Sequence, residues 1–213
     1  MVVETIVLCP ELVGPTSYDR RGLLQALSGP PVVDAPALGN NLTARGRQTA
    51  ELGNVPAELV GSSRELVGSS GEAGRPTVTV VDIPAGEPGD DERTVRAHWV
   101  AYVAVQLSTS STRGPVLLVL GGRSGALAPA LGFSQRAARR QVAGYVLVDA
   151  DFPAADSAVG DWPDAPVVCV ASPAAAAATI DHARLRGWRL VEVSNLAPST
   201  LATALGALLD PRP

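Results

Sequence analysis

Short apolar runs rich in Val, Leu and Ile recur along the chain, and turn-forming Gly, Pro, Asp and Asn residues separate them. Runs of this length that are bounded by turn signals predict buried strands of a parallel sheet. Six strands are predicted, at residues 5–9, 77–83, 115–120, 144–149, 167–171 and 188–193, and the pattern allows a further one at 31–36.

Segments with helical spacing of apolar residues lie between these runs. The clearest case is 92–107, where Val95, Trp99, Val100, Val103 and Leu107 fall on one inward face. Further helices are predicted at residues 19–27, 125–141, 174–186 and 198–209, the last with Pro in its first turn. Strands that alternate with helices in this way predict an α/β domain.

The chain has 213 residues, enough for one well-buried domain and too few for two, so residues 1–213 are interpreted as a single domain. Residues 38–75 interrupt the pattern with a Gly/Ser-rich insertion that repeats Glu-Leu-Val-Gly-Ser-Ser at 58–63 and 65–70. Two copies are too few for a solenoid. The insertion is interpreted either as a cover over a pocket mouth or, more in keeping with its composition, as a disordered surface excursion.

The strand at 115–120 ends on paired glycines and continues as Gly122-Arg-Ser124-Gly-Ala126. This is a variant of Gly-x-Ser-x-Gly, the nucleophile elbow, with Ala126 in the last small position. Small residues flank the serine because the turn between strand and helix is tight. The motif predicts a hydroxyl held clear of the backbone, with the amide of Gly125 facing a developing oxyanion.

Two other interpretations of this turn stay open. A Gly-rich turn between strand and helix also cradles dinucleotide phosphates, but the Gly-x-Gly-x-x-Gly fingerprint needs glycine where Leu120 stands. Alternatively, the glycines only allow the helix to pack closely on the strand, and Ser124 has no chemical role.

From this stretch onward, including the Val-Asp149-Ala-Asp151 sequence after the next strand, the chain resembles the α/β-hydrolase superfamily, in particular its small members without a lid. The resemblance implies a three-layer sandwich, with a mostly parallel sheet of about six strands and helices on both faces. It also implies that the amide of Glu11 or Leu12, after the first strand, supplies the second oxyanion donor.

The superfamily also places a histidine between the last strand and the last helix, where it takes the proton of the serine. Asn195 stands at the matching position, and asparagine does not accept a proton near neutral pH. The acid position after strand 167–171 carries Ser172, which leaves Asp149 or Asp151 as the substitute. The sequence therefore keeps the serine turn and lacks its base.

Charge and composition limit the partners, the location and the cofactors that the sequence predicts. The net charge is −4, and no basic stripe with aromatics is present, so no nucleic-acid partner is expected. No apolar run reaches membrane-spanning length and Glu4 interrupts any signal-like start, which predicts a cytoplasmic protein without a membrane partner. Cys9 and Cys169 fall in core strands that the superfamily order separates, so both are expected to be buried free thiols. No metal-ligand spacing occurs, no cofactor is expected, and a homo-oligomer stays open.

A serine turn without its histidine is compatible with three functions. The first is a non-hydrolytic enzyme of isomerase, epimerase, cyclase or lyase type, acting on a small carbonyl-bearing metabolite with a carboxylate base. The second is a Ser124-dependent esterase or thioesterase, and the third is a catalytically inactive binding or partner protein. The expected catalytic residues are Ser124, Asp149 and Glu11, and the expected substrate-binding residues are Leu12, Arg123, Gly125, Asp151 and Asn195.

Overall fold

The structure is a computed structural model that describes residues 3–12, 17–29, 76–82, 91–110, 114–152 and 162–209. Within these residues six strands form one all-parallel sheet of order β2-β1-β3-β4-β5-β6. The strands are β1 (Thr5–Leu8), β2 (Thr77–Val80), β3 (Val116–Gly121), β4 (Val142–Val148), β5 (Val167–Ala171) and β6 (Arg189–Glu192).

Among the described residues, helices lie in four of the five connections between successive strands, as is usual for parallel pairing, and the connection from β4 to β5 shows none. The described helices are α1 (Arg20–Ser28), α2 (Glu92–Thr109), α3 (Ala128–Ala137), α4 (Ala177–Leu185) and α5 (Pro198–Leu209), with a 3₁₀ helix at Gly122–Leu127. Asp19 caps α1 by accepting a hydrogen bond from the amide of Gly22 at 2.9 Å. Asp91 caps α2 in the same way through the amide of Thr94.

Side chains alternate between the two faces of the sheet and build two apolar clusters. On one face, strand residues such as Leu118 and Leu120 pack with Trp99, Val103 and Leu107 of α2. On the other face, strand residues pack with the helix residues Leu23, Leu201, Leu205 and Leu208. The sheet thus lies between α2, α3 and α4 on one side and α1 and α5 on the other, which confirms the predicted three-layer α/β class.

The two thiols are buried and free, as predicted. Cys9 directly follows β1, and Cys169 lies in β5, three strand positions away in the sheet. Neighbouring strands lie about 4.8 Å apart, so the two sulfurs are too far apart for a disulfide. Burial raises the pKa of each thiol to about 12.

The segment after β3 differs from the single helix predicted at 125–141. It begins as the 3₁₀ helix, and α3 starts only at Ala128 and ends at Ala137. Pro129 explains the late start, because proline lacks an amide hydrogen and is tolerated at the first α-helical positions but not deeper inside. Arg139, just after α3, has a φ of 56° and reverses the chain towards β4.

Two sequence predictions lie outside the described residues: the strand at 31–36 and the insertion at 38–75 with its repeat. Among the residues that the structure describes, no helix has both the length and the apolarity that crossing a bilayer requires.

Candidate functional site

The carboxyl ends of the strands bring the predicted residues to one edge of the sheet. The chain leaves β1 for β2 on one side and returns to β3 on the other, so the crevice beyond β1 and β3 is the point where ligands bind in open α/β sheets. Glu11 and Leu12 follow β1, and residues 123–125 follow β3. Asp149 and Asp151 follow β4, next to β3, whereas Asn195 follows β6, three strands or about 14 Å from β3.

Glu11 is held by one oxygen of its carboxylate. Its Oε1 accepts hydrogen bonds from the amide of Ser17 at 3.0 Å and from the Ser17 hydroxyl at 2.6 Å. No described residue donates a hydrogen bond to Oε2, which stands 2.6 Å from the point where a Cβ on residue 122 would lie. Gly122 also has a φ of 46°, so glycine is required there for both space and conformation.

The loop that carries Glu11 is fixed to α2. Trp99 is buried, and its Nε1 donates a hydrogen bond to the carbonyl oxygen of Pro10 at 3.2 Å. Burying an indole with its N–H paired is favourable, so this contact holds the end of β1 against the helix. The position of Glu11 is therefore set on one side by Trp99 and on the other by Ser17.

Tyr18 is a neighbour of this site that the sequence analysis missed. Its side chain is 4% exposed, and its Cε1 lies 2.9 Å from the point where a Cβ on Gly121 would be. The hydroxyl is buried and has no hydrogen-bond partner among the described residues. Burial raises the pKa of Tyr18, and the nearby Cys9 and Glu11 raise it further, so the phenol stays protonated.

Ser124 is not held clear of the backbone. It is fully buried, and its hydroxyl donates a hydrogen bond to the carbonyl oxygen of Gly121 at 2.7 Å. The hydroxyl is thus committed to the 3₁₀ turn, and an electrophile would reach it only after that bond breaks and the turn opens. Its catalytic role stays a prediction.

Gly125 shows why the turn is rich in glycine. A Cβ at this position would lie 2.5 Å from the Cβ of Ala150 and 2.6 Å from the carbonyl oxygen of Asp151. The amide of Asp151 donates to the carbonyl oxygen of Gly122 at 2.8 Å. The turn after β3 and the loop after β4 therefore pack backbone to backbone, which favours the interpretation that glycine serves close packing here.

Asp149 is held by both oxygens of its carboxylate. Oδ1 accepts from the amide of Ser172 at 2.7 Å, and Oδ2 accepts a short hydrogen bond from the Ser172 hydroxyl. The backbone of Asp149 has a φ of 41°, a conformation uncommon for residues other than glycine, although Asp tolerates it better than most. Ser172, which follows β5, thus binds an acid from the neighbouring strand.

Three predicted binding residues have other contacts in the structure. Arg123 pairs with Glu92 of α2 at 2.6 Å rather than with Glu11. The side chain of Leu12 belongs to the apolar core. Asn195 is exposed, and its Oδ1 accepts hydrogen bonds from the amide of Ala197 and the hydroxyl of Thr200, both at 3.0 Å, at the start of α5.

Neither histidine lies among these carboxyl-end residues. His98 lies on the exposed side of α2. His182 lies on α4, where its Nε2 accepts a hydrogen bond from Nε of Arg186 at 2.8 Å and its ring contacts Phe152 and Trp188. An Nε2 that accepts this bond is not free to take a proton from Ser124.

The described residues also contain no group of three acidic, histidine or cysteine side chains arranged to hold a metal ion. A shallow pocket, lined in part by Gln141 and Asp164, lies at the amino edge of the sheet, opposite the carboxyl-end residues. Comparisons of the chain with protein-family models, with curated proteins and with solved structures gave no match.

Proposed function

We propose that this chain is an α/β-hydrolase-like protein without hydrolytic activity, which transfers a proton on a small carbonyl-bearing metabolite in an isomerase-, epimerase-, cyclase- or lyase-type reaction. Glu11 acts as the base. The observation that carries the proposal is the state of its carboxylate: Ser17 anchors Oε1, and the described residues leave Oε2 without a hydrogen bond. A base needs a fixed position and an oxygen that can accept a proton, and Glu11 has both.

The position of Glu11 in the fold supports this assignment. It lies at the switch point between β1 and β3, where ligands bind in open α/β sheets, and the absence of side chains at Gly121 and Gly122 makes room for its carboxylate. The motif Gly122-Arg-Ser-Gly-Ala126 directly after the central strand, with Asp149 after the neighbouring strand, supports the family resemblance.

The alternative chemistry of serine hydrolysis has weaker support. The Ser124 hydroxyl is buried and bonded to Gly121, and Oδ1 of Asn195 is bonded to the amide of Ala197 and the hydroxyl of Thr200. Loss of triad residues lowers turnover by about 10⁴ to 10⁶. The Ser124-dependent esterase is tested by intact-mass measurement with excess fluorophosphonate: an adduct on the wild type that Ser124→Ala lacks would support it.

The proposal is tested by proton exchange in D₂O. Acetone, pyruvate and cyclohexanone are incubated with the protein, and proton NMR follows the replacement of α-hydrogens by deuterium. We expect wild-type protein to accelerate exchange for at least one ketone, and Glu11→Gln to remove about 10² to 10⁴ of that acceleration. Asp149→Asn and Ser124→Ala serve as controls and should retain most of it.

Two results would contradict the proposal. If no ketone exchanges faster with protein than without it, this chain does not perform the reaction on ketones. If Glu11→Gln exchanges as fast as wild type, another group is the base.

A catalytically inactive binding protein is the second candidate, because the two positions that matter most for hydrolysis, Ser124 and Asn195, both make structural hydrogen bonds. In that case a ketone would raise the melting temperature of the protein without any exchange of its α-hydrogens. The same samples therefore distinguish the two functions.

A further inference from the structure

The hydroxyl of Tyr18 is a buried polar group for which the described residues provide no hydrogen bond. It is excluded from solvent, and none of the described residues accepts or donates a hydrogen bond to it. Most buried polar groups in proteins are hydrogen-bonded, and those that are not call for a specific reason. One such reason is that the partner arrives with a ligand.

The ring of Tyr18 lies on the same side of Gly121 as the proposed base. Three side chains occupy the space that a Cβ on Gly121, at the carboxyl end of β3, would take: the ring edge of Tyr18, the Oγ of Ser17 and Oε1 of Glu11. A Cβ on this glycine would come within 2.9 Å of both Tyr18 and Glu11. The Tyr18 ring and the anchored oxygen of Glu11 thus lie beside the same residue at the switch point of the sheet.

The protonated form of Tyr18 fits the role of a donor. Burial raises its pKa most, Cys9 and Glu11 raise it further, and the Arg20 guanidinium lowers it without reversing the upward shift. Tyr18 therefore keeps its hydrogen at neutral pH. A buried O–H donor beside a carboxylate base is suited to bind an oxygen that becomes negative as the base removes a proton.

We propose that the Tyr18 hydroxyl donates a hydrogen bond to the carbonyl oxygen of the substrate and stabilises the enolate. Oε2 of Glu11 takes the α-proton, the C–H electron pair forms the new C=C bond, and the carbonyl π electrons move to the oxygen that Tyr18 holds. This inference rests on the proposed function and adds its second group, the oxyanion donor.

The first experiment compares two buried tyrosines that differ in their partners. The Tyr145 hydroxyl donates to Oδ1 of Asp164 at 2.7 Å, whereas that of Tyr18 has no partner in the described residues. Urea denaturation of Tyr145→Phe should give a lower midpoint than wild type. Tyr18→Phe should leave the midpoint unchanged or raise it, because it removes an unpaired hydroxyl. A decrease as large as that of Tyr145→Phe would mean that water or protein already satisfies the hydroxyl, and would overturn the proposal.

The second experiment uses 4-nitrophenol as an enolate analogue, because its oxygen carries a delocalised negative charge when ionised. Visible absorbance reports both its binding and its ionisation. We expect Tyr18→Phe to bind it at least about tenfold more weakly than wild type, the loss expected for a hydrogen bond to a charged group. The pKa of the bound nitrophenol should also be higher in Tyr18→Phe, because the donor to its oxygen is gone. Tyr145→Phe should match wild type in both respects.

The outcomes separate this inference from the function on which it rests. If wild type binds nitrophenol and Tyr18→Phe binds it equally, with the same pKa for the ligand, the role of Tyr18 is refuted and the Glu11 assignment stands. If wild type does not bind nitrophenol and does not exchange ketone hydrogens, the proposed function fails, and the role of Tyr18 fails with it.

Discussion

Two carboxylate–serine pairs lie at the same edge of the sheet, and they use their oxygens differently. In the pair after β1, Ser17 binds one oxygen of Glu11 twice and leaves the other without a described donor. In the pair between β4 and β5, Ser172 binds both oxygens of Asp149. A carboxylate with both oxygens satisfied holds two strands together, whereas one with a single anchored oxygen keeps an acceptor for chemistry.

The backbone shows the same contrast. Asp149 has a φ of 41°, and its amide donates to the carbonyl oxygen of Val170 at 3.0 Å, so the pair with Ser172 offsets local backbone strain. Beside Glu11, the residue with positive φ is Gly122, which follows β3 and adopts that conformation without strain because it is glycine. The Asp149 pair therefore contributes mainly to stability, and the Glu11 pair to positioning.

The largest effect on stability is expected where the turn after β3 packs against the loop after β4. Gly125→Ala would place a Cβ against the Cβ of Ala150 and the carbonyl oxygen of Asp151, and backbone atoms cannot move aside as a flexible side chain can. We expect the free energy of unfolding to fall by about 3 to 4 kcal/mol in urea denaturation. Gly206→Ala, in α5 with no atom within 4 Å of the new Cβ, is the control and should raise it by about 0.5 kcal/mol. If Gly125→Ala lowers the free energy of unfolding by less than about 1 kcal/mol, the turn after β3 does not pack tightly against the loop after β4.

The next experiment compares the two pairs directly. Asp149→Ala removes two hydrogen bonds to a carboxylate and places alanine at positive φ, so we expect a loss of about 2 kcal/mol in the free energy of unfolding. Glu11→Ala removes bonds to one oxygen of a partly exposed side chain and should cost about 1 kcal/mol. Equal losses would remove the distinction between a structural and a chemical carboxylate.

The labelling rates of the two buried thiols measure how often the Glu11 region and the Asp149 region open. Cys9 lies on the Glu11 side and Cys169 on the Asp149 side, and burial raises the pKa of each to about 12. Both are therefore protonated at pH 8, and we expect the folded protein to react with a thiol reagent about 10³-fold more slowly than the unfolded chain. Asp149→Ala should accelerate labelling of Cys169 by about tenfold and leave Cys9 unchanged, as peptide mass mapping would show. Equal acceleration of both would indicate global unfolding instead.

The smallest effect is expected for the ion pair above the turn. Arg123 and Glu92 have side chains that are 50% and 58% exposed, so their pairing is screened by water. Arg123→Ala should change the free energy of unfolding by less than about 0.5 kcal/mol. A larger loss would show that the pair fixes the turn after β3 on α2.

Much of the fold followed from the sequence because burial periodicity is a local property. The strand at 167–171 and the helix at 198–209 have the bounds predicted, and the inward face of α2 contains Trp99, Val103 and Leu107. The prediction of the helix after β3 was less accurate. The pattern shows where apolar residues recur, but not whether a turn forms a 3₁₀ helix or an α-helix.

The site was predicted in part. Glycine and serine spacing located the turn after β3, yet spacing does not determine where a hydroxyl points, and Ser124 points at Gly121. Ser17 and Tyr18 lie in a polar stretch without a recognised motif, and they reach Glu11 and Gly121 only through the path of the chain between β1 and α1. Their one sequence signal was proximity to the end of a central strand.

The hydrogen bond from Trp99 to Pro10 makes tryptophan fluorescence sensitive to changes near Glu11. Indole emission responds to the polarity around the ring, and Trp99 is bonded to the residue next to Glu11. Trp162 and Trp188 contact each other edge to face near the other half of the sheet, with ring centroids 5.5 Å apart. Replacing those two by phenylalanine would leave a single tryptophan, whose emission wavelength and intensity would change when a small molecule binds next to Glu11.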